Sequence, residues 1–304
     1  MPTPRDLSRR RLLLTGATAL LAGCAVRPSA EPAAPGSPPT SAAAGPTESP
    51  TWSAGPATVS PTPSPTPSPT PSGTVLAERA TVPVLCYHQI RDWTKDDSSY
   101  SKQVLICPPA NFRRQLDGLA EAGYTTISPD DYLAHLGGAS LPDNPVIISF
   151  DDGKDSQPLV AGPELVRRGM VGTFFVMTVV IGKSGWITPK QIKGLADAGH
   201  TIGSHTWDHH QVTKYSGDDW RIQFDEARAT LRKHSGQAVE TFAYPYGAWN
   251  PAALPHLAEA GYTTAFQLGE KPVDPGAPAL TLRRVLVNST WSGDAIVKAV
   301  RQAP

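Results

Sequence analysis

Residues Ser149-Phe150-Asp151-Asp152-Gly153 set two adjacent carboxylates at the end of an apolar run, Val146-Ile147-Ile148. Such β-branched runs form strands buried on both faces, so Asp151 and Asp152 emerge at a strand's carboxyl end, beside a glycine that permits a sharp turn. Neighbouring residues leaving a strand point in different directions, so one carboxylate can hold a cation while the other takes a proton. A helix-capping Asp-Asp turn is the competing reading of the same five residues. The segment His205-Thr206-Trp207-Asp208-His209 follows Thr201-Ile202-Gly203-Ser204. If the chain turns helical there, His205 and His209 share one face and chelate a single ion; in an irregular turn His210 competes with His209. Two imidazoles and one carboxylate leave coordination positions open, as in catalytic rather than structural metal sites. Phe242-Ala243-Tyr244-Pro245-Tyr246-Gly247 is either a common tight turn or a groove wall whose backbone N–H groups face a developing oxyanion. Val84-Leu85-Cys86-Tyr87-His88 reads as a short buried strand ending in a histidine, either structural or the proton donor to a leaving group.

An internal echo indicates the elements that must position these groups. Leu119-Ala120-Glu121-Ala122-Gly123-Tyr124-Thr125 returns as Leu195-Ala196-Asp197-Ala198-Gly199-His200-Thr201 and as Leu257-Ala258-Glu259-Ala260-Gly261-Tyr262-Thr263. Each copy reads as a last helical turn, a glycine in the left-handed capping position, then a strand. Upstream, Phe112, Leu116, Leu119 and Ala120 keep helical spacing, as do Trp220, Phe224, Ala227 and Leu231. Strand candidates are 84–87, 125–128, 146–150, 173–177, 201–204, 241–244, 263–266 and 285–288. Strands alternating with helices imply parallel βαβ units, and the spacing favours an α/β fold, a distorted (β/α) barrel of about seven parallel strands with its chemistry at the strand ends.

The amino-terminal stretch reads as an address. Arg9-Arg10-Arg11 precedes an apolar run from Leu12 to Leu21 that is too short to span a bilayer. Leu21-Ala22-Gly23-Cys24 resembles a lipoprotein cleavage site, and the paired arginines resemble a twin-arginine export signal. Residues 1–23 are therefore expected to be a signal peptide, with Cys24 lipidated, so that the mature protein is held on the outer face of the cell membrane. Residues 24–79 read as a disordered Pro/Ser/Thr/Ala tether, since 14 of the 32 prolines lie between Pro28 and Pro71. At ~3.1 Å per residue in polyproline II it would reach on the order of 150 Å, enough to enter a cell wall. Residues 80–304 suit one domain. Its charges belong to a chain with 27 basic and 27 acidic residues, which argues against a nucleic-acid partner. A monomer is expected. Cys86 and Cys107 are either a disulfide or two buried thiols.

Taken together, Ser-Phe-Asp-Asp-Gly, His-Thr-x-x-His and Tyr-Pro-Tyr-Gly resemble the polysaccharide deacetylases, carbohydrate esterase family four, across residues 80 to 290. The resemblance implies a distorted barrel and removal of N-acetyl or O-acetyl groups from glycans with a divalent metal. It implies Asp151 as general base, Asp152, His205 and His209 as metal ligands, and the Tyr246 N–H as part of an oxyanion hole. The family's Leu-x-His acid motif is missing after His256, and Tyr87-His88 looks like the rearranged version found in extracellular poly-N-acetylglucosamine de-N-acetylases, which makes His88 the acid. Ala243 stands where many members carry an arginine that orients the base, and Arg283 or Arg284 would substitute. Trp207, Tyr244, Trp249 and Arg284 are the expected sugar contacts, with Trp186 a further stacking platform, although a tryptophan more often ends in a core. The partners implied are an acetylated polysaccharide and, through the lipid, a membrane. Zinc is the default metal, with cobalt or nickel fitting equally. The rival classes are a non-haem iron oxygenase, which expects a jelly roll and leaves Asp151 without a task, and a non-catalytic glycan-binding lipoprotein.

Overall fold

The computed structural model describes residues 71–269 and 271–303. The export signal, Cys24 and most of the tether lie outside the described residues. The last part of the segment read as tether, Gly73–Glu78, is a helix whose first turn is capped by the Ser72 hydroxyl.

Seven parallel strands form the sheet: β1 (Val84–Tyr87), β2 (Pro145–Phe150), β3 (Thr173–Val176), β4 (Thr201–Ser204), β5 (Thr241–Ala243), β6 (Thr264–Phe266) and β7 (Val285–Leu286). Their spatial order is β7-β1-β2-β3-β4-β5-β6, and Thr125–Thr126 adds a short pairing to the start of β2. A bridge between Phe266 and Leu282 draws β6 towards the segment that leads into β7. The sheet thereby curls into the distorted barrel that the helix–strand alternation implies, and the jelly roll required by an iron oxygenase is not formed. Several strands stop one or two residues earlier than expected, as the chain turns at their carboxyl ends.

The three echoed glycines, Gly123, Gly199 and Gly261, have φ of 75°, 86° and 85°, the left-handed geometry that ends a helix and turns the chain into the next strand. Helix starts are equally legible. Ser128 with Asp131, and Thr188 with Gln191, form reciprocal capping boxes ahead of the helices Pro129–Leu136 and Pro189–Asp197. In the helix Pro109–Glu121 the buried face is Phe112, Gln115, Leu116 and Leu119, so Gln115 takes the place expected for Ala120. Trp220, Phe224, Ala227 and Leu231 lie along a helix that opens with a wide π turn, Arg221–Glu226, before Ala227–Ser235.

Strand pleating divides the core. Leu85, Tyr87, Ile148, Phe150, Phe174 and Val176 face the surrounding helices, whereas Val84, Ile147, Phe175, Ala243 and Phe266 fill the barrel interior. By the same period of two, Ser149 and Asp151 fall on the interior side with Ile147. A third apolar cluster, around Phe224, Phe242, Tyr244 and Trp249, lies under the later helices. Phe150, immediately before the aspartate pair, stacks on Phe174 with ring centroids 4.8 Å apart and on Tyr87 at 5.6 Å. Replacing Phe150 by Ala should lower unfolding free energy by about 3–5 kcal/mol, measured by urea denaturation. A loss under about 1 kcal/mol would show that β2 is not anchored through this ring.

Candidate active site

Asp151 is 1% exposed, and its N–H donates to the Tyr87 carbonyl (2.9 Å), the last rung between β1 and β2. Its carboxylate is gripped at both oxygens by Arg284, with Nη1–Oδ1 at 2.6 Å and Nη2–Oδ2 at 2.8 Å. Burial on its own would raise the Asp151 carboxyl, but the Arg284 guanidinium and then His205 outweigh it and hold the group below the usual carboxylate range. Asp151 is therefore ionised at neutral pH. Of the two arginines offered by sequence, Arg284 takes this role, entering from the segment before β7 while Ala243 occupies the β5 position. Arg284, expected as a sugar contact, is instead 4% exposed, bound to Asp151 and absent from the cleft lining. Beneath the pair, the Cys86 thiol donates to Asp151 Oδ2 at 3.5 Å, and burial pushes its pKa up, so it stays protonated. Cys86 and Cys107 are separate buried thiols.

The neighbouring carboxylate faces elsewhere because Asp152 sits in left-handed backbone, φ 80°, a conformation Asp tolerates better than most residues. Gly153 follows at φ 82°, and a side chain there would place Cβ 2.9 Å from Val176 Cγ1. Asp152 Oδ1 thus lies 3.6 Å from His205 Nε2 and 3.4 Å from His209 Nε2. The two histidines do not meet through a helical turn. Thr206 and His209 both adopt φ 69° in an irregular loop, tied by the His209 N–H to Thr206 Oγ1 (2.9 Å). His210 points away, exposed, with Nδ1 2.7 Å from Asp208 Oδ2.

The trio fits a divalent cation. His205 Nδ1 lies 2.8 Å from the Ala243 carbonyl, so it carries the proton and leaves the Nε2 lone pair turned to Asp152. Two donors, each about 2.1 Å from one tetrahedral ion, stand about 3.4 Å apart, close to the separations found here. Burial, reinforced by His205, lowers the His209 imidazole to about 4 against the pull of Asp152, and burial lowers His205 too. Both rings are therefore neutral, the form that ligates metal.

These groups floor a cleft of about 470 Å³ together with His88. A ring nitrogen of His88 lies within 4.8 Å of an Asp151 carboxylate oxygen. Tyr246, 63% exposed with φ 59°, walls the cleft and sets its ring edge-on to His209 at 4.6 Å. The remaining walls are Tyr100 and Leu105, at the two ends of the short helical turn Ser101–Leu105, Leu268 and Gly269 beyond β6, and Leu286 at the end of β7, none singled out from sequence because no motif marks them. The expected aromatic contacts are not among them. Tyr244 is fully buried with its hydroxyl on the Leu280 carbonyl (2.8 Å), and Trp249 is buried with Nε1 on Gln267 Oε1 (3.0 Å). Trp207, 43% exposed, lines a separate depression with Asp208 and Lys214, and Trp186 lies under the Lys154 ammonium. Tyr244 and Trp249 thus pack within the third apolar cluster and do not line the cleft. A larger groove, about 870 Å³ between the helices Pro109–Glu121 and Gly293–Gln302, holds mixed surface charges and none of these residues.

Comparisons with known proteins point to one family. The polysaccharide deacetylase family model matches residues 138–265, which include the aspartate pair and the histidine loop but neither His88 nor Arg284. The Bacillus subtilis (strain 168) protein YxkH is 28% identical over 222 residues, 71% of this chain and 75% of YxkH. A Staphylococcus aureus (strain MRSA252) poly-beta-1,6-N-acetyl-D-glucosamine N-deacetylase is 25% identical over 193 residues, 59% of this chain and 67% of that protein. The structure of the Streptococcus pyogenes deacetylase PplD in complex with acetate superposes with a TM-score of 0.66 at 25% identity, covering 72% of this chain and 97% of PplD. Residues 138–265, which hold the strand-end carboxylates and the histidine loop, thus form a polysaccharide deacetylase domain.

Proposed function

We propose that this protein is a metal-dependent hydrolase that removes N-acetyl groups from N-acetylglucosamine units of an extracellular or cell-wall polysaccharide. The observation that carries the reading is one cleft holding a buried, arginine-clamped carboxylate, a separate Asp–His–His trio and a further imidazole. A binding module needs no such division. The name of the staphylococcal relative supports a poly-N-acetylglucosamine substrate. The basic-apolar leader ending at Cys24 and the proline-rich tether support export and lipid anchoring at the outer membrane face.

In this mechanism Asp152, His205 and His209 would hold the cation, zinc by default and cobalt or nickel as equals. When bound, the cation polarises the acetyl carbonyl and lowers the pKa of a water from about 15.7 towards about 7. Asp151, kept ionised by Arg284, accepts the proton of the attacking water. The Tyr246 N–H donates to the oxygen on which charge develops, a type of contact worth about 2.7–4 kcal/mol. His88 gives a proton to the sugar nitrogen as the C–N bond breaks, so that a neutral amine leaves. Leu105, Leu268 and Leu286 keep the reacting centre poor in water, which strengthens each of these electrostatic contacts.

Acetate release from β-1,6- and β-1,4-linked N-acetylglucosamine oligosaccharides, peptidoglycan and acetylated xylan tests the activity. Turnover on N-acetylglucosamine polymers should vanish with a chelator and return with zinc or cobalt. Asp151→Asn should bind zinc yet lose at least about 100-fold in kcat. Release from xylan alone would make the enzyme an O-acetyl esterase, and no release from any substrate would overturn the proposal. Calorimetric titration with zinc separates the two candidate ligands: His209→Ala should weaken binding at least about 10-fold, whereas His210→Ala should leave it unchanged. Equal effects would remove His209 from the ligand set.

The Arg284 clamp sets a pH dependence. Because the folded Asp151 pKa lies below its unfolded value of about 3.9, the pair stabilises the protein above about pH 4, and that contribution is lost as pH falls through the folded pKa. Arg284→Met should raise the Asp151 pKa, moving the acid limb of kcat/KM to higher pH and lowering stability by about 3–5 kcal/mol. An unmoved acid limb would show that Asp151 is not the base.

A further inference from the structure

We infer that Gln157 is a positioning residue that locks the proton donor and the proton acceptor of this site to each other through their main chains. The inference rests on the roles proposed above for His88 and Asp151. The ladder between β1 and β2 ends at the bond from the Asp151 N–H to the Tyr87 carbonyl. Both residues lie past the last paired positions, Tyr87 and Phe150, and beyond that bond no rung joins the two chains. Gln157 closes the gap. Its side chain is fully buried, and its Nε2 donates to the His88 carbonyl at 2.9 Å and to the Asp151 carbonyl at 2.5 Å. One amide nitrogen carries two hydrogens, so each carbonyl receives its own, and the side chain replaces the rung that the two strands lack. The two carbonyls also settle which end of the amide is nitrogen.

The surroundings distinguish this from ordinary core packing. Gln157 opens a π-helical turn, Gln157–Ala161, a wide form that recurs at functional sites. The preceding residue reinforces the link, since Ser156 Oγ accepts the Ile90 N–H at 3.1 Å and so holds the chain two residues beyond His88. Among the described residues Gln157 Oε1 is buried without a hydrogen-bond partner. Donor and acceptor of a proton must be placed together, and a misplacement of about 1 Å can cost on the order of 100-fold in rate.

Gln157→Met keeps length and volume while removing both donors. The full chain, loaded with cobalt, is assayed on an N-acetylglucosamine oligosaccharide beside wild type and Asp151→Asn, with circular dichroism and the cobalt absorption spectrum as checks on fold and metal. We expect kcat to fall by about 10–100-fold with KM within about twofold, and with the cobalt spectrum and affinity unchanged. A folded Gln157→Met variant with wild-type kcat, or a loss carried by KM or cobalt binding alone, overturns the inference. Should that variant fail to fold, Gln157→Glu, the same shape with at most one donor, is read by the same criteria. If Asp151→Asn is inactive while Gln157→Met is unimpaired, only the role of Gln157 fails; if Asp151→Asn stays active, the reading of the base fails first.

Discussion

Burying a carboxylate and a guanidinium together withdraws two ions from water, at several kcal/mol each, and only close hydrogen-bonded geometry offsets that cost. Asp151 and Arg284 meet this condition with two short bonds in the barrel interior, where the guanidinium also lies 5.3 Å from the Phe175 ring centre. The partners come from β2 and from the entry to β7, strands separated in space by β1 and in sequence by 133 residues. The Asp151 carboxylate can therefore be clamped only once the sheet has assembled around β1. The same pair defines what the rest of the site must do, because an ionised carboxylate already satisfied by arginine is free to receive a proton but poorly disposed to hold a metal.

That constraint explains the division between adjacent aspartates. A strand alone would send Asp151 and Asp152 to opposite faces; the left-handed turn at Asp152 and Gly153 instead brings the second carboxylate round to His205 and His209. The result is a set of two neutral imidazoles and one unpaired carboxylate, whose net negative charge suits a divalent cation. Asp151 Oδ2 also lies 3.9 Å from His205 Nε2, but both of its oxygens are already engaged by Arg284, which leaves Asp152 as the carboxylate open to a cation. The trio also depends on β5, whose Ala243 carbonyl fixes the His205 tautomer. Cleft, clamp and trio thus draw on strands from both edges of the sheet.

Much of this was legible in local pattern. The capping glycines and the helix starts report themselves through a few neighbouring residues, because caps and left-handed turns are short-range physics. The Asp-Asp and His-x-x-x-His segments declared their chemistry by residue type. The substrate contacts were misjudged for an equally physical reason. Tyr244 and Trp249 border the aromatic turn in sequence, yet a large apolar ring gains more by joining the cluster around Phe224 and Phe242 than by staying exposed. Tyr100, Leu105 and Leu268, which wall the cleft, belong to no motif, and Leu286 lies on an expected strand whose alternation does not say which cleft its side chain faces.

By itself, the sequence determined the alternation of helices and strands, the strand ends at which polar residues gather, and the set of groups able to hold a cation and move protons. Tertiary structure decided which members of that set meet: Arg284 as the clamp where Ala243 has none to offer, His209 over His210, and thiols left unjoined. These choices turn on distances between segments far apart in the chain and on the one or two backbone angles that aim each side chain, quantities that residue identity and spacing do not encode.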